Sequence, residues 1–177
     1  MGYARISDDY YVRWHSIIDN DLDDDSILFT QELLAASGFQ RSVFYSWYVM
    51  PTSHEYLAWA KDPNKMFFIL YMNDGVPLGL CWLTDFTNTN KQCMAHFSTL
   101  GTVERIHSVK AGRSLLASLF KRTKLLQVVG ITPACYRHAV AFAKDLGFKP
   151  LYTLKEAVFC NGKDRDALLS ICEAYEV

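Results

Sequence analysis

The chain has 177 residues, 50% hydrophobic and 14% aromatic, and its 18 basic and 19 acidic residues leave a formal net charge of −1. This length and composition predict one globular domain whose apolar core is large enough to fold without disulfides. The near-zero charge argues against a nucleic-acid partner, because phosphates attract clustered lysine and arginine.

Residues 1–60 predict a short strand followed by two or three helices. A helical stretch at Ser26–Ser37 is followed by Gly38, which suits the first position after a helix. The aromatic run Val43–Val49 fits either a strand or a buried helix, because periodicity alone does not decide between them. A serine cap and an early glutamate predict a short helix at Ser53–Lys61.

The acidic run Asp19–Asp25 does not fit a calcium-binding loop. When Asp19 is aligned with the first ligand of an EF-hand, Asp24 falls where glycine is required and Thr30 where a bidentate glutamate belongs. Two interpretations stay open. The run either caps the next helix as a solvated loop, or forms an electronegative rim that attracts a cationic ligand.

The next segment predicts three strands and a helix. Met66–Met72 and the run 76–86 flank Asn-Asp-Gly, which is a strong signal for a β-hairpin. A third run of strand character follows at Lys91–Leu100. Apolar residues then recur at helical spacing over Ser108–Arg122, with Ser108 as the expected N-cap.

The C-terminal part continues the alternation of strand and helix. Leu125–Ile131 is nearly continuous in apolar residues, as in a strand buried on both faces. The Thr-Pro pair that follows predicts the start of a helix that ends at Gly147. Two β segments then flank Asn161-Gly162 as a second hairpin, although the last segment also fits a helix. The order β-β-β-α-β-α-β-β after an α-rich start predicts a mixed α/β sheet.

The cysteines and histidines indicate neither a disulfide framework nor a metal site. The five cysteines are an odd number without a C-x-x-C pair, which is typical of free thiols in a reducing compartment. The five histidines lack the H-E-x-x-H and H-x-x-x-H spacings of zinc sites. Neither a secretory leader nor a membrane span is evident. We expect a cytoplasmic protein without a metal and without a membrane partner.

Residues 66–171 resemble the GNAT superfamily of acetyl-CoA-dependent acyltransferases. The similarity lies in the order of the elements and in four local patterns, namely PLGLCWL, AGRSLLASLF, YRHAVAFAKDLGF and AVFCNGKDRDALLSI. The resemblance implies a single GNAT-like α/β domain over 1–177. Within it, 1–65 would supply acceptor-side helices, and 66–177 would hold acetyl-CoA between the strands at 91–102 and 125–131.

The resemblance also implies a site for the pyrophosphate of coenzyme A at a helix N-terminus. The family signature there is Arg or Gln, two residues, Gly, one residue, then Gly or Ala. Aligned on the Gly-x-x-Leu-Leu that follows, it falls on residues 107–112, where only Gly112 keeps the consensus type. His107 replaces Arg or Gln, and Lys110 replaces the first Gly. The lysine either contacts a phosphate or fills the space that glycine leaves open.

The implied coenzyme A contacts come from the end of the third strand, the signature helix and the next helix: Thr102, His107, Ser108, Val109, Lys110, Ala111, Gly112, Arg113 and Tyr136. The alternative is an ordinary amphipathic helix in which Gly112 allows close packing against the sheet.

His96 and Tyr136 are the candidate catalytic residues. Some relatives place a general base eleven residues before the signature, which is His96 here, and a near-neutral pKa suits proton removal from an ammonium. Tyr136 aligns with an asparagine that contacts the cofactor in relatives, so we expect it to line the cleft. Relatives often carry a tyrosine that protonates the leaving thiolate four residues before Gly147, where this chain has Ala143. The alternative roles are a sheet histidine and a half-buried packing tyrosine.

Two functions stay open at this stage. The first is an N-acetyltransferase that passes the acetyl group of acetyl-CoA to a small-molecule or protein amine by direct attack, with a homodimer as a compatible assembly. The second is a GNAT-like protein that has lost catalysis and serves as a binding or structural component. The missing signature residues favour the second function, and so does a resemblance to acetyltransferase-like proteins of bacteriophages, including virion-associated ones.

Overall fold

The computed structural model describes residues 4–16, 22–44, 49–87, 89, 91–160 and 162–174. The strands are β1 (Ala4–Arg5), β2 (Tyr10–His15), β3 (Met66–Met72), β4 (Pro77–Thr84), β5 (Gln92–Thr99), β6 (Gln127–Pro133), β7 (Lys149–Cys160) and β8 (Lys163–Glu173). The helices are α1 (Asp24–Ala36), α2 (Gln40–Val43), α3 (Ser53–Ala60), α4 (Arg105–Arg122) and α5 (Arg137–Asp145).

The strands form one eight-stranded sheet in the order β1-β2-β3-β4-β5-β6-β8-β7. Neighbouring strands are antiparallel except β5 and β6, which run parallel because α4 carries the chain back across the sheet. The predicted mixed α/β sheet and its β-β-β-α-β-α-β-β order are therefore confirmed. The two predicted hairpins join β3 to β4 and β7 to β8.

The parallel pair β5 and β6 is joined over only part of its length. Its register runs from Gln92 opposite Gln127 to Met94 opposite Val129. Beyond that point β5 stays paired with β4 as far as Thr99, and β6 stays paired with β8 as far as Pro133. The two strands therefore part in the middle of the sheet and leave a gap between their C-terminal halves.

Two apolar cores cover the two faces of the sheet. Because side chains alternate along a strand, Phe68 and Leu70 of β3 pack into the core under α4, while Phe67 and Ile69 pack into the core under α1 and α3. On β5, Ala95 belongs to the α4 core. The side chains of the parted strands consequently reach two different environments on the two faces.

The start of α1 shows what part of the acidic run does. Asp23 is the N-cap of α1, and its carboxylate accepts a hydrogen bond of 2.6 Å from the backbone N–H of Ser26. Asp24 forms an ion pair with Lys61. This part of the run caps the helix, as one of the two interpretations predicted, whereas Asp19 and Asp21 lie outside the described residues. Gly38 follows α1 with φ +74°, which confirms the predicted glycine after the helix.

Two predicted helix starts were wrong. Helix α4 begins at Arg105 after Glu104, and Ser108 lies inside the helix, where its hydroxyl donates to the carbonyl of Leu78 at 3.3 Å. The Thr-Pro pair at 132–133 ends β6, and α5 begins only at Arg137. Both residue types suit a helix start locally, but strand pairing and a contact with β4 determine their positions here.

The remaining open assignments also have outcomes. The final segment is strand β8 and not a helix, because it pairs with β6 and β7 over most of its length. In the aromatic run, Val43 ends α2 and Phe44 is buried, while residues 45–48 lie outside the described residues. The cap of α3 is Thr52, one residue before the predicted serine, and it forms a capping box with Glu55. Within the described ranges, no helix is long and apolar enough to cross a membrane.

Candidate functional site

The gap between β5 and β6 forms a cavity of about 480 Å³. Its strand walls are residues 95–99 of β5 and residues 130–133 of β6. We call it the sheet cavity. Its volume lies in the range of small-molecule sites, and it is lined from both faces of the sheet.

Helices α4 and α5 supply one wall of the sheet cavity. On this side the lining includes Ser108 of α4, Tyr136 directly before α5, and Phe142 and Ala143 within α5. Arg105, at the first position of α4, also lines the cavity, and its guanidinium forms a 2.5 Å ion pair with Asp145 at the end of α5. A cation therefore lies beside the helix N-terminus, where an anion is stabilised by backbone N–H groups and the helix dipole.

The opposite wall consists of aromatic rings, and we call Phe44, Trp59, Trp82 and His96 the aromatic wall. The ring centroids of Phe44 and Trp59 lie 5.0 Å apart in a T-shaped arrangement. Trp59 makes the same T-shaped contact with Trp82 at 5.0 Å. Trp82 and His96 lie on neighbouring strands, and their rings stack at 5.0 Å with 5° between their planes. All four rings also line the sheet cavity.

The environment of His96 keeps its imidazole neutral. Burial and, to a smaller extent, the nearby Lys65 charge lower the pKa of His96 to about 4, although Asp85 acts in the opposite direction. A neutral imidazole offers one nitrogen lone pair as a hydrogen-bond acceptor at neutral pH. It is a weaker base than an ordinary histidine, so it suits orienting an amine or a water better than holding a full proton.

Lys65 lies behind the aromatic wall and is only 5% exposed. Its Nζ lies 4.0 Å from the centroid of the Trp59 ring and donates to the Trp59 carbonyl at 2.5 Å. Burial lowers the pKa of Lys65 to about 8, while the charge of Asp62 opposes this effect. The lysine is thus still mostly protonated near pH 7, and it occupies a cation–π position on Trp59.

Most of the predicted phosphate-binding residues do not reach the sheet cavity. His107 lies 3.1 Å through Nδ1 from the hydroxyl of Tyr10, which ties α4 to β2. Lys110 and Arg113 point to solvent, and Val109 is buried. The backbone N–H groups of Val109, Lys110 and Arg113 lie inside α4, beyond the first turn, whose N–H groups have no partner within the helix.

Two members of that set are packing residues. Ala111 is fully buried in the α4 core. A Cβ added to Gly112 would lie 2.6 Å from Cδ2 of Leu146, so a larger residue there would force the end of the buried Leu146 side chain to shift. The packing alternative describes Ala111 and Gly112, and neither lines the sheet cavity, so a contact of either residue with coenzyme A stays a prediction.

The turn that enters α4 lies several residues earlier than the predicted signature. Gly101 has φ +70°, and it lines the sheet cavity with Val103 and Arg105. Thr102 in the same turn donates its hydroxyl hydrogen to the Pro77 carbonyl. Sequence alignment on the apolar helix pattern missed Arg105. Gly101, two residues after the end of β5, is the sequence signal that marks this turn.

Both candidate catalytic residues line the same cavity. His96 contributes from β5, and Tyr136 from the residue that precedes α5. Ala143, where relatives often carry the tyrosine acid, lines the cavity as well. Among the described residues, no cluster of three or more His, Cys, Asp or Glu suits a metal ion.

Several solved structures with the same fold are N-acetyltransferases. The ribosomal-protein alpha-N-acetyltransferase RimL in complex with coenzyme A has a TM-score of 0.75 at 11% identity, over 97% of this chain and 98% of that chain. An acetyltransferase from Salmonella typhimurium that modifies an N-terminal serine of a ribosomal protein has a TM-score of 0.75 at 12% identity, over 97% and 99% of the two chains. A variant of spermidine N-acetyltransferase SpeG from Vibrio cholerae has a TM-score of 0.71 at 15% identity, over 95% of each chain.

These similarities show the fold. No model of a known protein family matches the sequence, and a search of curated proteins finds no significant relative. The structural neighbours are acetyltransferases of the GNAT family, in agreement with the expected fold, and the match spans nearly the whole chain.

Proposed function

We propose that the protein is an acetyl-CoA-dependent N-acetyltransferase that acts on an amine in the sheet cavity. The parting of β5 and β6 beyond Met94 and Val129 carries this proposal. It produces a cavity that both faces of the sheet can reach, within a fold shared with enzymes that acetylate a ribosomal protein or spermidine. Two substrates that enter from opposite faces can meet there.

The gap between the parted strands β5 and β6 offers a place for the acyl arm of acetyl-CoA. Beyond Met94 one edge of β5 pairs with β4, and its other edge faces the cavity instead of β6. Alternate backbone N–H and C=O groups of a strand point to each edge, so residues 95–99 present hydrogen-bonding groups to a bound amide chain. We assign the acyl arm to this strand edge.

The phosphates of coenzyme A fit the turn 101–104 and the start of α4 better than they fit residues 107–112, where the family signature was aligned. The N–H groups of the first helical turn and the guanidinium of Arg105 supply donors and positive charge. Among the residues expected to contact coenzyme A, we retain Thr102, Ser108 and Tyr136, which lie in this turn or line the cavity.

The chemistry that acetyl-CoA supplies is a thioester, whose carbonyl carbon an uncharged amine attacks with loss of the thiolate. On this chain, His96 would accept a hydrogen bond from the amine or from a water through its neutral imidazole, and the proton that the amine loses as the C–N bond forms would leave along this contact to solvent. The Oη–H of Tyr136 is the proton donor that we assign to the departing sulfur, since Ala143 carries no acid, and its phenolate would regain a proton from solvent. Tyr136 is also the one tyrosine that lines the cavity among the described residues.

Calorimetric titration of acetyl-CoA into charge variants tests the proposal. Arg105→Glu is expected to weaken binding at least about tenfold, because a charge-assisted hydrogen bond contributes about 1.5–3 kcal/mol. Asp145→Asn removes the partner of Arg105 but keeps the guanidinium, so it should leave affinity equal or slightly improved. Lys121→Glu is the matched control, with the same charge change at the far end of α4.

Equal affinity of wild type and Arg105→Glu would contradict the assigned phosphate site. Absence of acetyl-CoA binding by the wild type would contradict the proposed acetyltransferase activity and favour a binding or structural role. The folded state of each variant is checked by its thermal unfolding midpoint, so that a loss of structure is not mistaken for a loss of contact.

A further inference from the structure

We infer that the acceptor is a small monoamine that carries an aromatic ring, and that its ring packs against the aromatic wall. This inference rests on the proposed function and names the substrate class of the same site. The part of the cavity lining that the structure describes disfavours a polyamine.

The aromatic wall provides a surface for a flat ring. Its members touch one another in a continuous series, through two T-shaped contacts and one stacked pair. Because each ring is held by its neighbours, the wall keeps its shape without the entropy loss of flexible side chains. Edge-to-face and offset contacts favour an incoming aromatic group beyond the effect of area burial alone.

The wall belongs to the acceptor side because the phosphate-binding features lie on the other side. Arg105, Ser108 and the helix start line the α4 side of the sheet cavity. His96 stacks on Trp82, which packs into the core under α1 and α3. The ring of the acceptor then lies on the α3 side, with its amine directed to the gap between β5 and β6.

The lining contains no carboxylate among the described residues. A polyamine keeps a second ammonium after the first is positioned for reaction, and burying that charge without a partner is costly. Two carboxylates at the start of α1 are already paired, because Asp23 is bonded to Arg13 at 3.3 Å and Asp24 to Lys61. The described walls therefore offer no counter-charge for a second cation.

Aromatic rings can themselves bind cations, but here that position is occupied. The ammonium of Lys65 lies over the Trp59 ring and is hydrogen-bonded to the Trp59 carbonyl. A second cation near the same ring would meet this charge at close range. The same lysine disfavours protonation of His96, so the histidine beside the amine carries no charge of its own.

Initial-rate kinetics with a panel of amines tests the inference. The acetylated amine is quantified by mass spectrometry at saturating acetyl-CoA, after calorimetry has measured acetyl-CoA binding. The panel contains phenethylamine, tryptamine, hexylamine and spermidine. We expect kcat/KM for phenethylamine to exceed that for hexylamine and spermidine by at least about tenfold, as hydrophobic pockets discriminate by about that factor or more.

Two variants separate the role of the wall from general stability. Phe44→Leu keeps an apolar side chain and should raise KM for phenethylamine about tenfold, with unchanged affinity for acetyl-CoA. Phe29→Leu is the matched control on α1, since Phe29 is 49% exposed and outside the cavity lining. It should change neither constant.

A carboxylate added to the lining should reverse the preference. Val43 lines the sheet cavity at the end of α2 and is only partly buried. Val43→Glu is expected to raise kcat/KM for spermidine and lower it for phenethylamine, whereas Val43→Gln should not favour spermidine. This readout depends on charge and is not reproduced by a merely structural change.

The outcomes distinguish this inference from the proposed function. Acetyl-CoA binding together with a preference for spermidine, or without turnover of any aromatic amine, would overturn the inference and leave the acetyl-CoA site standing. Absence of acetyl-CoA binding would overturn both. Turnover of phenethylamine that Phe44→Leu and Phe29→Leu affect equally would also overturn the assignment of the wall.

Discussion

His96 illustrates how a single residue's role depends on its surroundings. Its place on the strand before α4 could be predicted from the sequence, and the structure puts it in the sheet cavity. Its state could not be predicted, because it depends on burial and on Lys65, which lies thirty-one residues earlier. A histidine expected to titrate near neutrality instead has a pKa of about 4, so its imidazole carries no charge at neutral pH.

The pKa of His96 provides a test at this scale. Removing the nearby positive charge with Lys65→Met should raise the pKa of His96. The pKa should still stay below 6.5, because burial lowers it more than Lys65 does. Asp85→Asn should lower it, since that carboxylate favours the charged imidazole. The measurement is an NMR titration of the His96 ring protons between pH 3 and pH 8.

The same shift makes stability depend on pH. Because the folded pKa of His96 lies below the unfolded value, the unfolded chain binds more protons between about pH 6.5 and pH 4, so stability falls as the pH falls through that window. The loss from this residue is at most about 3 kcal/mol. A His96 pKa that stays near 6.5 in the wild type would contradict the described packing against Trp82.

Local patterns located most elements, and the errors came from long-range contacts. The β3–β4 hairpin and the glycine after α1 depend on turn chemistry within a few residues, so the sequence was sufficient for them. Ser108, predicted as the N-cap of α4, lies inside that helix, where its hydroxyl donates to the carbonyl of Leu78 on β4. No pattern inside the helix shows that contact, which explains why the start of α4 was predicted too late.

Gly112 tests the packing of α4 against α5. Gly112→Ala should lower the free energy of unfolding by up to about 2 kcal/mol, because overpacking costs about 1–3 kcal/mol and the gain in helix propensity offsets about 1 kcal/mol of that cost. The clash is with Leu146, so adding Leu146→Ala should give a non-additive double-mutant cycle.

Denaturant unfolding measures this effect, with Ser118→Ala on the same helix as control. The control should lie within about 0.5 kcal/mol of the wild type. A Gly112→Ala variant that is more stable than the wild type would show that α4 does not approach Leu146 as described, and would reopen a cofactor role for this glycine.

At the scale of the whole molecule, the fold could be predicted from element order although the identity to its structural neighbours is only 11–15%. The candidate site could be predicted only in part. His96, Tyr136 and Ser108 were named from the sequence and line the cavity, whereas Arg105 and the other three members of the aromatic wall were not named as site residues. The wall combines α2, α3, β4 and β5, so no single stretch of sequence contains its pattern.

The central claim is that acetyl-CoA binds in the sheet cavity. Calorimetric titration of acetyl-CoA into the wild type and Ala139→Trp tests it most directly, because Ala139 lines the cavity and an indole there would fill it. Ala36→Trp, at the exposed end of α1, is the matched control. We predict micromolar binding, about −8 kcal/mol, to the wild type and the control, and loss of binding in Ala139→Trp. Absence of binding to the wild type, or equal binding to all three proteins, would contradict the account.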